Sequence, residues 1–197
     1  MNKKIAFFDF DGTITTDDSL LDFIRFSVGN KKFFLGLLAL SPVLIFFKAK
    51  IIPNYKAKQM MLSWFFKGCE KSHFSETARN YSLTHIDSII RPAAMEKINW
   101  HKSQGHQVVV VSASLDCWLR PWCEERELEL IATQLAFDED IVSGRLLTKN
   151  CHGQEKVNRI KSMYILDEYD EIFAYGDSSG DIPMLCLASK AYYKPFR

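Results

Sequence analysis

The feature that most constrains this chain is a short apolar run that ends abruptly in two carboxylates. Residues Ile5 to Phe8 are apolar, and the sequence DFDGT follows directly at residues 9–13. Such a run predicts a buried strand followed by a turn. Asp9 and Asp11 are two residues apart, so their side chains share a face where the backbone is extended. Paired carboxylates repel each other unless a cation lies between them or one keeps its proton, and either arrangement indicates chemistry.

The length and composition predict an ordinary globular protein. The chain has 197 residues, 47% of them hydrophobic, which fits one domain or a core domain with a modest insertion. The formal net charge of +1 predicts no bulk attraction to nucleic acid. Five cysteines without a Cys-x-x-Cys pair favour reduced thiols in a cytoplasmic protein over disulfides or a zinc site. Only four apolar residues precede Asp9, so we expect no export signal.

Strands and helices alternate in the second half of the chain. The four valines Val108–Val111 predict a strand buried on both faces, as in parallel sheets. Further predicted strands are Leu130–Thr133, Ile172–Tyr175 and Ala191–Tyr193, and predicted helices include Ala93–Ser103 and Gly153–Met163. Phe137–Leu147 predicts a hairpin that turns near Ser143–Gly144. The alternation predicts an α/β fold with a Rossmann-like, doubly wound parallel sheet.

A mostly helical insertion is predicted over residues 16–90, leaving residues 1–15 and 91–197 as the core. Within it, Phe33–Phe47 contains fifteen residues without a charge and is flanked by lysines. A spanning helix needs about 20 apolar residues, and Pro42 interrupts this segment. Two interpretations stay open. The segment is a pair of buried helices broken at Ser41–Pro42, or it forms an apolar surface that makes peripheral contact with a membrane.

Polar residues follow three of the predicted strands: Asp9 with Asp11, Ser112, and Asp177 with Asp181. In a doubly wound sheet, ligands bind beyond the carboxyl ends of the strands. A set of aspartates without His or Cys suits Mg²⁺ and does not suit zinc. A calcium loop is excluded because its glycine would fall at Ile14.

These residue types fit phosphoryl transfer. An aspartate can attack phosphorus and form an aspartyl-phosphate, and a second carboxylate can protonate the leaving oxygen and later activate water. The developing charge needs a hydroxyl, amides and a cation. Ser112 and Lys156 are the candidates for the hydroxyl and the cation.

Taken together, DFDGT at residues 9–13, Ser112, Lys156 and GDSSGD at residues 176–181 resemble the four motifs of the haloacid dehalogenase-like (HAD) phosphohydrolases. The resemblance implies Asp9 as nucleophile and Asp11 as general acid/base. It implies Mg²⁺ held by Asp9, the backbone carbonyl of Asp11, and Asp177. It also implies supporting roles for Asp181 and Thr13 and a phosphoryl-binding group formed by Ser112, Ala113 and Lys156.

The insertion is similar to the cap of the phosphoserine-phosphatase-like branch, subfamily IB. Asp18 stands where that branch has a glutamate, which makes it a weak candidate for substrate selection. The apolar block Phe33–Phe47 looks more like a subgroup that includes phosphatidylglycerophosphatase C. Many relatives have a lysine at the position of His152. In this chain Lys156 is the preferred candidate for the motif lysine, and Lys149 and Lys161 are less well placed.

The sequence therefore predicts a Mg²⁺-dependent phosphatase acting on a small-molecule or lipid phosphate. Three alternatives stay open: a phosphoserine phosphatase proper, a receiver-like signalling module that stores a phosphoryl group, and a membrane-binding protein in which Phe33–Phe47 is the functional element. The expected localisation is cytoplasmic, with or without membrane association.

Overall fold

The computed structural model describes residues 3–197 and is built on a parallel sheet. The strands, in chain order, are β1 (Lys4–Phe8), β2 (Gln107–Leu115), β3 (Glu129–Thr133), β4 (Leu135–Asp138), β5 (Ile141–Leu146), β6 (Glu171–Gly176) and β7 (Lys190–Tyr193). Five of them form a sheet in the order β3-β2-β1-β6-β7, and each neighbouring pair is parallel. The strands β4 and β5 form a separate antiparallel hairpin.

Helices lie between the strands. They are α1 (Ser19–Ala39), α2 (Ser41–Lys48), α3 (Asn54–Phe66), α4 (Lys71–Thr84), α5 (Pro92–Ser103), α6 (Asp116–Glu125), α7 (Gln154–Met163) and α8 (Ile182–Leu185). Short 3₁₀ turns occur at Ile86–Ile89 and Leu166–Glu168.

Both faces of the sheet are covered, as the valine run predicts. Phe8 and Val110 belong to the hydrophobic cluster on one face, and Phe7 and Val109 belong to the cluster on the other. This is the period-two alternation of a strand that is buried on both sides. The predicted α/β fold with a doubly wound parallel sheet is confirmed.

The chain reverses its direction of winding at β1. From β1 it proceeds outward to β2 and β3, and later returns to β6 and β7 on the other side. The crevice between the carboxyl ends of β1 and β6 is therefore the topological switch point, where ligands bind in such sheets. The two strand ends are joined by a hydrogen bond from Asp9 N to the Tyr175 carbonyl (2.9 Å).

Helices α1 to α4 form the insertion between β1 and β2. The two chain segments that connect it to the sheet lie side by side, because Arg91 N donates to the Ile14 carbonyl (2.8 Å) and Thr15 pairs with Ile90 in a β-bridge. The exact boundaries at residues 15 and 91 stay predictions. The insertion has an aromatic centre in which Phe23 stacks on Trp118 of α6, with ring centroids 4.5 Å apart.

The β4–β5 hairpin packs against this insertion. Gly68 N donates to the Val142 carbonyl (3.1 Å), and Lys71 N donates to the Asp140 carbonyl (2.8 Å). The predicted turn near Ser143 is wrong, because the chain turns between β4 and β5 and Ser143 lies within β5. The following Gly144 has a positive φ of 77° and serves a close approach instead, since a Cβ there would lie 2.3 Å from Ser63 Oγ.

The apolar block Phe33–Phe47 continues α1 and then forms α2, with a break at Leu40. A break beside Ser41–Pro42 is confirmed, but of the two interpretations the one of a pair of buried helices is wrong. Within the block only Phe33, Gly36 and Leu40 are buried, and α2 has no buried residue. Among residues 3–197 no single helix is long and apolar enough to cross a membrane. The pair α1 and α2 meets the criteria only together, with a 62° bend between them.

Candidate active site

Asp9 lies at the switch point, directly after β1 and almost completely buried. Its Oδ1 accepts a hydrogen bond from Lys156 Nζ (2.6 Å), and its Oδ2 accepts one from Thr13 Oγ1 (3.1 Å). Burial raises the pKa of the Asp9 carboxyl to about 7, and the nearby charges of Asp181 and Asp11 add to this while Lys156 opposes it. Asp9 is thus a desolvated carboxylate held in one orientation, as a nucleophile requires.

Lys156 is the buried cation of the crevice. It lies in the first turn of α7, and its Nζ donates to Asp9 Oδ1, to Asp181 Oδ1 (2.7 Å) and to the Val111 carbonyl (2.7 Å). These three acceptors satisfy the three donors of an ammonium group. Burial alone would lower the pKa of Lys156, but the two carboxylates raise it, so the side chain is charged.

Three carboxylates converge in the crevice: Asp9, Asp177 and Asp181 each place an oxygen within 4.8 Å of the others. Burial and the charge of Asp181 raise the pKa of Asp177. Burial opposes ionisation of Asp181 as well, but Lys156 and the Ser178 amide (3.0 Å) and hydroxyl (2.8 Å) hold its pKa below the ordinary value. Arg197 also pairs with Asp177.

The close approach of Asp177 depends on Gly12. This glycine has φ +78°, and a Cβ at its position would lie 2.6 Å from Asp177 Oδ2. A side chain would therefore displace the Asp177 carboxylate. The donor set, all oxygen and more negative than Lys156 can neutralise, fits a hard divalent cation such as Mg²⁺.

Asp11 faces the same cleft but has different partners from Asp9. Its Oδ1 accepts from Ser19 N (2.8 Å), and its Oδ2 accepts from Ser114 Oγ (2.5 Å). Ser19 Oγ in turn donates to Ser114 Oγ (2.9 Å). The start of α1 and the end of β2 therefore fix this carboxylate, and two residues that sequence reasoning missed, Ser19 and Ser114, orient it.

The candidate residues Ser112 and Ala113 of β2 differ in whether they reach the cleft. Ser112 is fully buried, and its Oγ accepts a hydrogen bond from Ser114 N (3.0 Å). Ala113 and Ser114 line the cleft of about 350 Å³ that also contains Asp9 and Asp177. Ser112 lies within β2 and not after it, contrary to the prediction, and it supports the irregular end of this strand. Ala113 and Ser114 form the surface of the cleft.

Lys58 of α3 is the main site residue that sequence reasoning missed. It is buried, lines the cleft, and donates from Nζ to the Ala113 carbonyl (2.5 Å) and to Asn150 Oδ1 (3.2 Å). Burial lowers its pKa, although Asp18 and Asp11 counteract this. The sequence indicates its burial only through helical periodicity, because Lys58 lies on the face of α3 that also buries Ala57, Met61 and Leu62.

Asp18 and His152 lie at the rim of the cleft. Asp18 caps α1, because its Oδ1 accepts from the amides of Leu20 (3.0 Å) and Leu21 (3.1 Å). His152 packs against Gly180, where a Cβ would lie 2.3 Å from the imidazole Nε2, and burial lowers its pKa. Of the other candidate lysines, Lys161 is exposed on α7, and Lys149 has its carbonyl hydrogen-bonded by Arg159.

The parallel sheet and the carboxylate crevice at its switch point define an α/β enzyme with a site suited to a hard cation. The chain belongs to the haloacid dehalogenase-like hydrolase family, whose model matches residues 6–186. The family predicted from the motifs is confirmed.

Individual proteins are similar over nearly the whole chain. Protein CicA of Caulobacter vibrioides is 33% identical, covering 96% of this chain and 85% of CicA. A structure of a protein with unknown function from Bordetella pertussis superimposes with a TM-score of 0.82 at 18% identity, covering 98% of this chain and 89% of that one. A phosphoserine phosphatase solved as a phospho-aspartyl intermediate analogue gives 0.61 at 20% identity, covering 95% and 84%.

Proposed function

We propose that this protein is a Mg²⁺-dependent phosphomonoester hydrolase that forms an aspartyl-phosphate on Asp9. The observation that carries the proposal is the buried Asp9 carboxylate, held by Lys156 and Thr13 next to a second carboxylate, Asp11. The phosphoserine phosphatase with a similar fold, solved with an analogue of a phospho-aspartyl intermediate, supports the same chemistry here.

The residues divide the reaction between them. A carboxylate oxygen of Asp9 attacks phosphorus, and the leaving oxygen takes a proton from Asp11. Lys156 lies against the attacking group and meets the charge that develops on the phosphoryl oxygens. Asp11 then accepts a proton from the water that hydrolyses the phosphoenzyme, which returns both carboxylates to their starting state.

Asp9, Asp177 and the backbone carbonyl of Asp11 are the proposed holders of Mg²⁺, with Asp181 and Thr13 supporting them. The ion would supply positive charge to the transferring phosphoryl group. Asp181 orients the 177–178 backbone by accepting from Asp177 N (3.1 Å) and Ser178 N (3.0 Å). In this proposal Asp181 is the anchor of the loop, and Asp177, directly after β6, is the ligand.

The substrate is proposed to be a small-molecule or lipid phosphate. A second cleft of about 680 Å³ adjoins the carboxylate cleft and shares Asn54 and His152 with it. Its wall includes the apolar side chains of Pro53, Tyr55 and Leu147. The space is suited to the organic part of a phosphomonoester, and Lys58 lines the adjoining carboxylate cleft.

The test is hydrolysis of p-nitrophenyl phosphate in the presence of Mg²⁺ by the wild type and Asp9→Asn. We expect the variant to lose about a thousandfold or more in turnover, as single nucleophile replacements do. Equal activity of the two proteins would overturn the covalent mechanism. A panel with phosphoserine, sugar phosphates, nucleotides and lysophosphatidic acid then ranks the substrates and separates a phosphoserine phosphatase from a lipid phosphatase.

The receiver-like alternative makes an opposite prediction about the phosphoenzyme. A signalling module stores the phosphoryl group, so its adduct persists for long periods. The placement of Asp11 in the same cleft as Asp9 favours turnover, because a general base is available to hydrolyse the adduct.

A further inference from the structure

The insertion carries an apolar surface that the rest of the chain does not cover. Large side chains are exposed along α1, α2 and α3, and we call this set the cap apolar face: Phe34, Leu35, Leu38, Ile45, Phe46 and Trp64. Scattered single exposed apolar residues are normal, whereas a contiguous group of this kind marks an interaction site.

The members of this face belong to helices that pack together. Phe34 and Leu38 are four residues apart on α1 and so lie on one side of it. Trp64 of α3 adjoins α1, because a Cβ at Gly36 would lie 3.0 Å from Trp64 Nε1. An open groove of about 580 Å³ is lined by Leu40, Met60 and Trp64 and links the two helices.

The chain segment that carries the cap apolar face has charged residues of one sign. Residues 23–69 contain eight lysines and arginines and no aspartate or glutamate, although the whole chain has a net charge of only +1. Within this stretch Lys31, Lys32, Lys48 and Lys50 flank the apolar block and are exposed. They form no salt bridge with any residue of the described chain, 3–197.

We propose that the cap apolar face binds the surface of an anionic lipid bilayer. A peripheral membrane contact typically combines three features: apolar side chains that enter the bilayer interface, an aromatic side chain at the level of the headgroups, and lysines that bind acidic headgroups. The 62° bend between α1 and α2 fits a face that lies along the interface. The proposal does not depend on the phosphatase activity of the crevice.

A second copy of the chain is the competing occupant, and the charges disfavour it. A two-fold interface brings the same patch of both subunits together, so the lysines beside Phe33–Phe47 would face one another without an acidic partner in residues 23–69. An anionic surface satisfies these lysines instead.

The test is flotation of the full-length protein with vesicles of phosphatidylcholine alone or with added phosphatidylglycerol. We expect binding to the anionic vesicles and little to the neutral ones. The double variant Leu38→Glu/Phe46→Glu should abolish binding, whereas Ile165→Glu should not. Ile165 is a matched control, because its exposure of 67% compares with 71% for Leu38, and it lies outside the insertion.

The lysines are tested separately. Lys48→Gln/Lys50→Gln should weaken binding by roughly fivefold for each lysine, and Lys161→Gln should have no effect. Circular dichroism and turnover of p-nitrophenyl phosphate establish that each variant is folded. Absence of wild-type binding, equal binding to both vesicle types, or unchanged binding by Leu38→Glu/Phe46→Glu would overturn the proposal. The proposal would also be overturned if sedimentation equilibrium showed that the wild type is a dimer and that Leu38→Glu/Phe46→Glu is a monomer.

Discussion

Lys156 Nζ lies 2.6 Å from Asp9 Oδ1, and both side chains are buried. This contact joins the first turn of α7 to the end of β1, and among the described residues Lys156 is the only salt-bridge partner of the Asp9 carboxylate. Asp181 shares the same ammonium group at 2.7 Å. The pair therefore has a structural role as well as a proposed catalytic one.

Replacing Lys156 by Met should damage both roles. Two buried carboxylates would lose their counter-charge, and breaking a buried ion pair from one side costs about 3–5 kcal/mol in the free energy of unfolding. We expect turnover to fall by about a hundredfold or more. Urea denaturation and hydrolysis of p-nitrophenyl phosphate measure the two effects. Lys161→Met, on the exposed side of the same helix, is the control and should stay near wild type in both.

Gly12→Ala should disable the proposed metal site. Both Gly12 and Gly105 have positive φ, at 78° and 71°, so alanine strains the backbone at each by roughly 1–2 kcal/mol. Only at Gly12 does the added Cβ meet Asp177, while nothing lies within 4 Å of a Cβ at Gly105. Calorimetric titration with Mg²⁺ should therefore show weakened binding for Gly12→Ala and wild-type binding for Gly105→Ala. Equal affinities in the two variants would contradict the assignment of Asp177 as a ligand.

Lys58→Met should impair substrate binding more than chemistry. Lys58 reaches the cleft from the insertion and contacts the Ala113 carbonyl, whereas Lys56 on the same helix is exposed. We expect KM to rise by about tenfold, the loss of one hydrogen bond to a charged group, with a smaller change in kcat. Steady-state kinetics on the best panel substrate measure this. A fall in kcat alone, or the same effect in Lys56→Met, would argue against a role in substrate binding.

His101 should make the stability of the protein depend on pH. Burial lowers its pKa to about 3, and its ring nitrogens are hydrogen-bonded to His106 (2.8 Å) and Tyr175 Oη (2.9 Å). The unfolded chain binds a proton near pH 6.5, so between pH 6.5 and 3 the unfolded state holds more protons at this site. The free energy of unfolding should therefore fall with acidification, by at most about 1.4 kcal/mol per pH unit.

The measurement is urea denaturation of wild type and His101→Gln between pH 4 and 8. The slope below about pH 6.5 should be smaller in the variant, because it lacks this titrating group. A variant whose slope matches that of the wild type would show that His101 does not contribute.

The carboxylates that sequence alone located are those that follow strands. Asp9 and Asp177 end β1 and β6, and parallel strands bring their carboxyl ends to one edge, so the sheet topology is enough to place them together. Ser114 and Lys58 could not be found in this way. The position of Ser114 depends on the irregular register at the end of β2, and that of Lys58 depends on how α3 docks over the crevice. Both are set by tertiary contacts.

The apolar block Phe33–Phe47 shows a second limit of prediction from sequence, which concerns burial. Its break before Pro42 follows from local chemistry, since proline is tolerated in the first turn of a helix. An apolar sequence does not by itself distinguish a buried helix from an exposed one. Whether Leu38 and Phe46 are buried depends on which other parts of the chain pack against them. Only the packing of α1 against α3 decides this.

The central claim is the aspartyl-phosphate on Asp9, and Asp11→Asn provides the most direct test. The asparagine can accept from Ser19 N through its Oδ1 and donate to Ser114 Oγ from its Nδ2, which reverses the direction of the second bond. The backbone carbonyl of residue 11 is retained, so Mg²⁺ binding should persist while hydrolysis of the phosphoenzyme slows. Acid quenching of this variant after mixing with p-nitrophenyl phosphate and Mg²⁺, followed by peptide mass spectrometry, should show one phosphoryl group on Asp9. A phosphoryl group on another residue, or no adduct while the wild type turns over, would contradict the account.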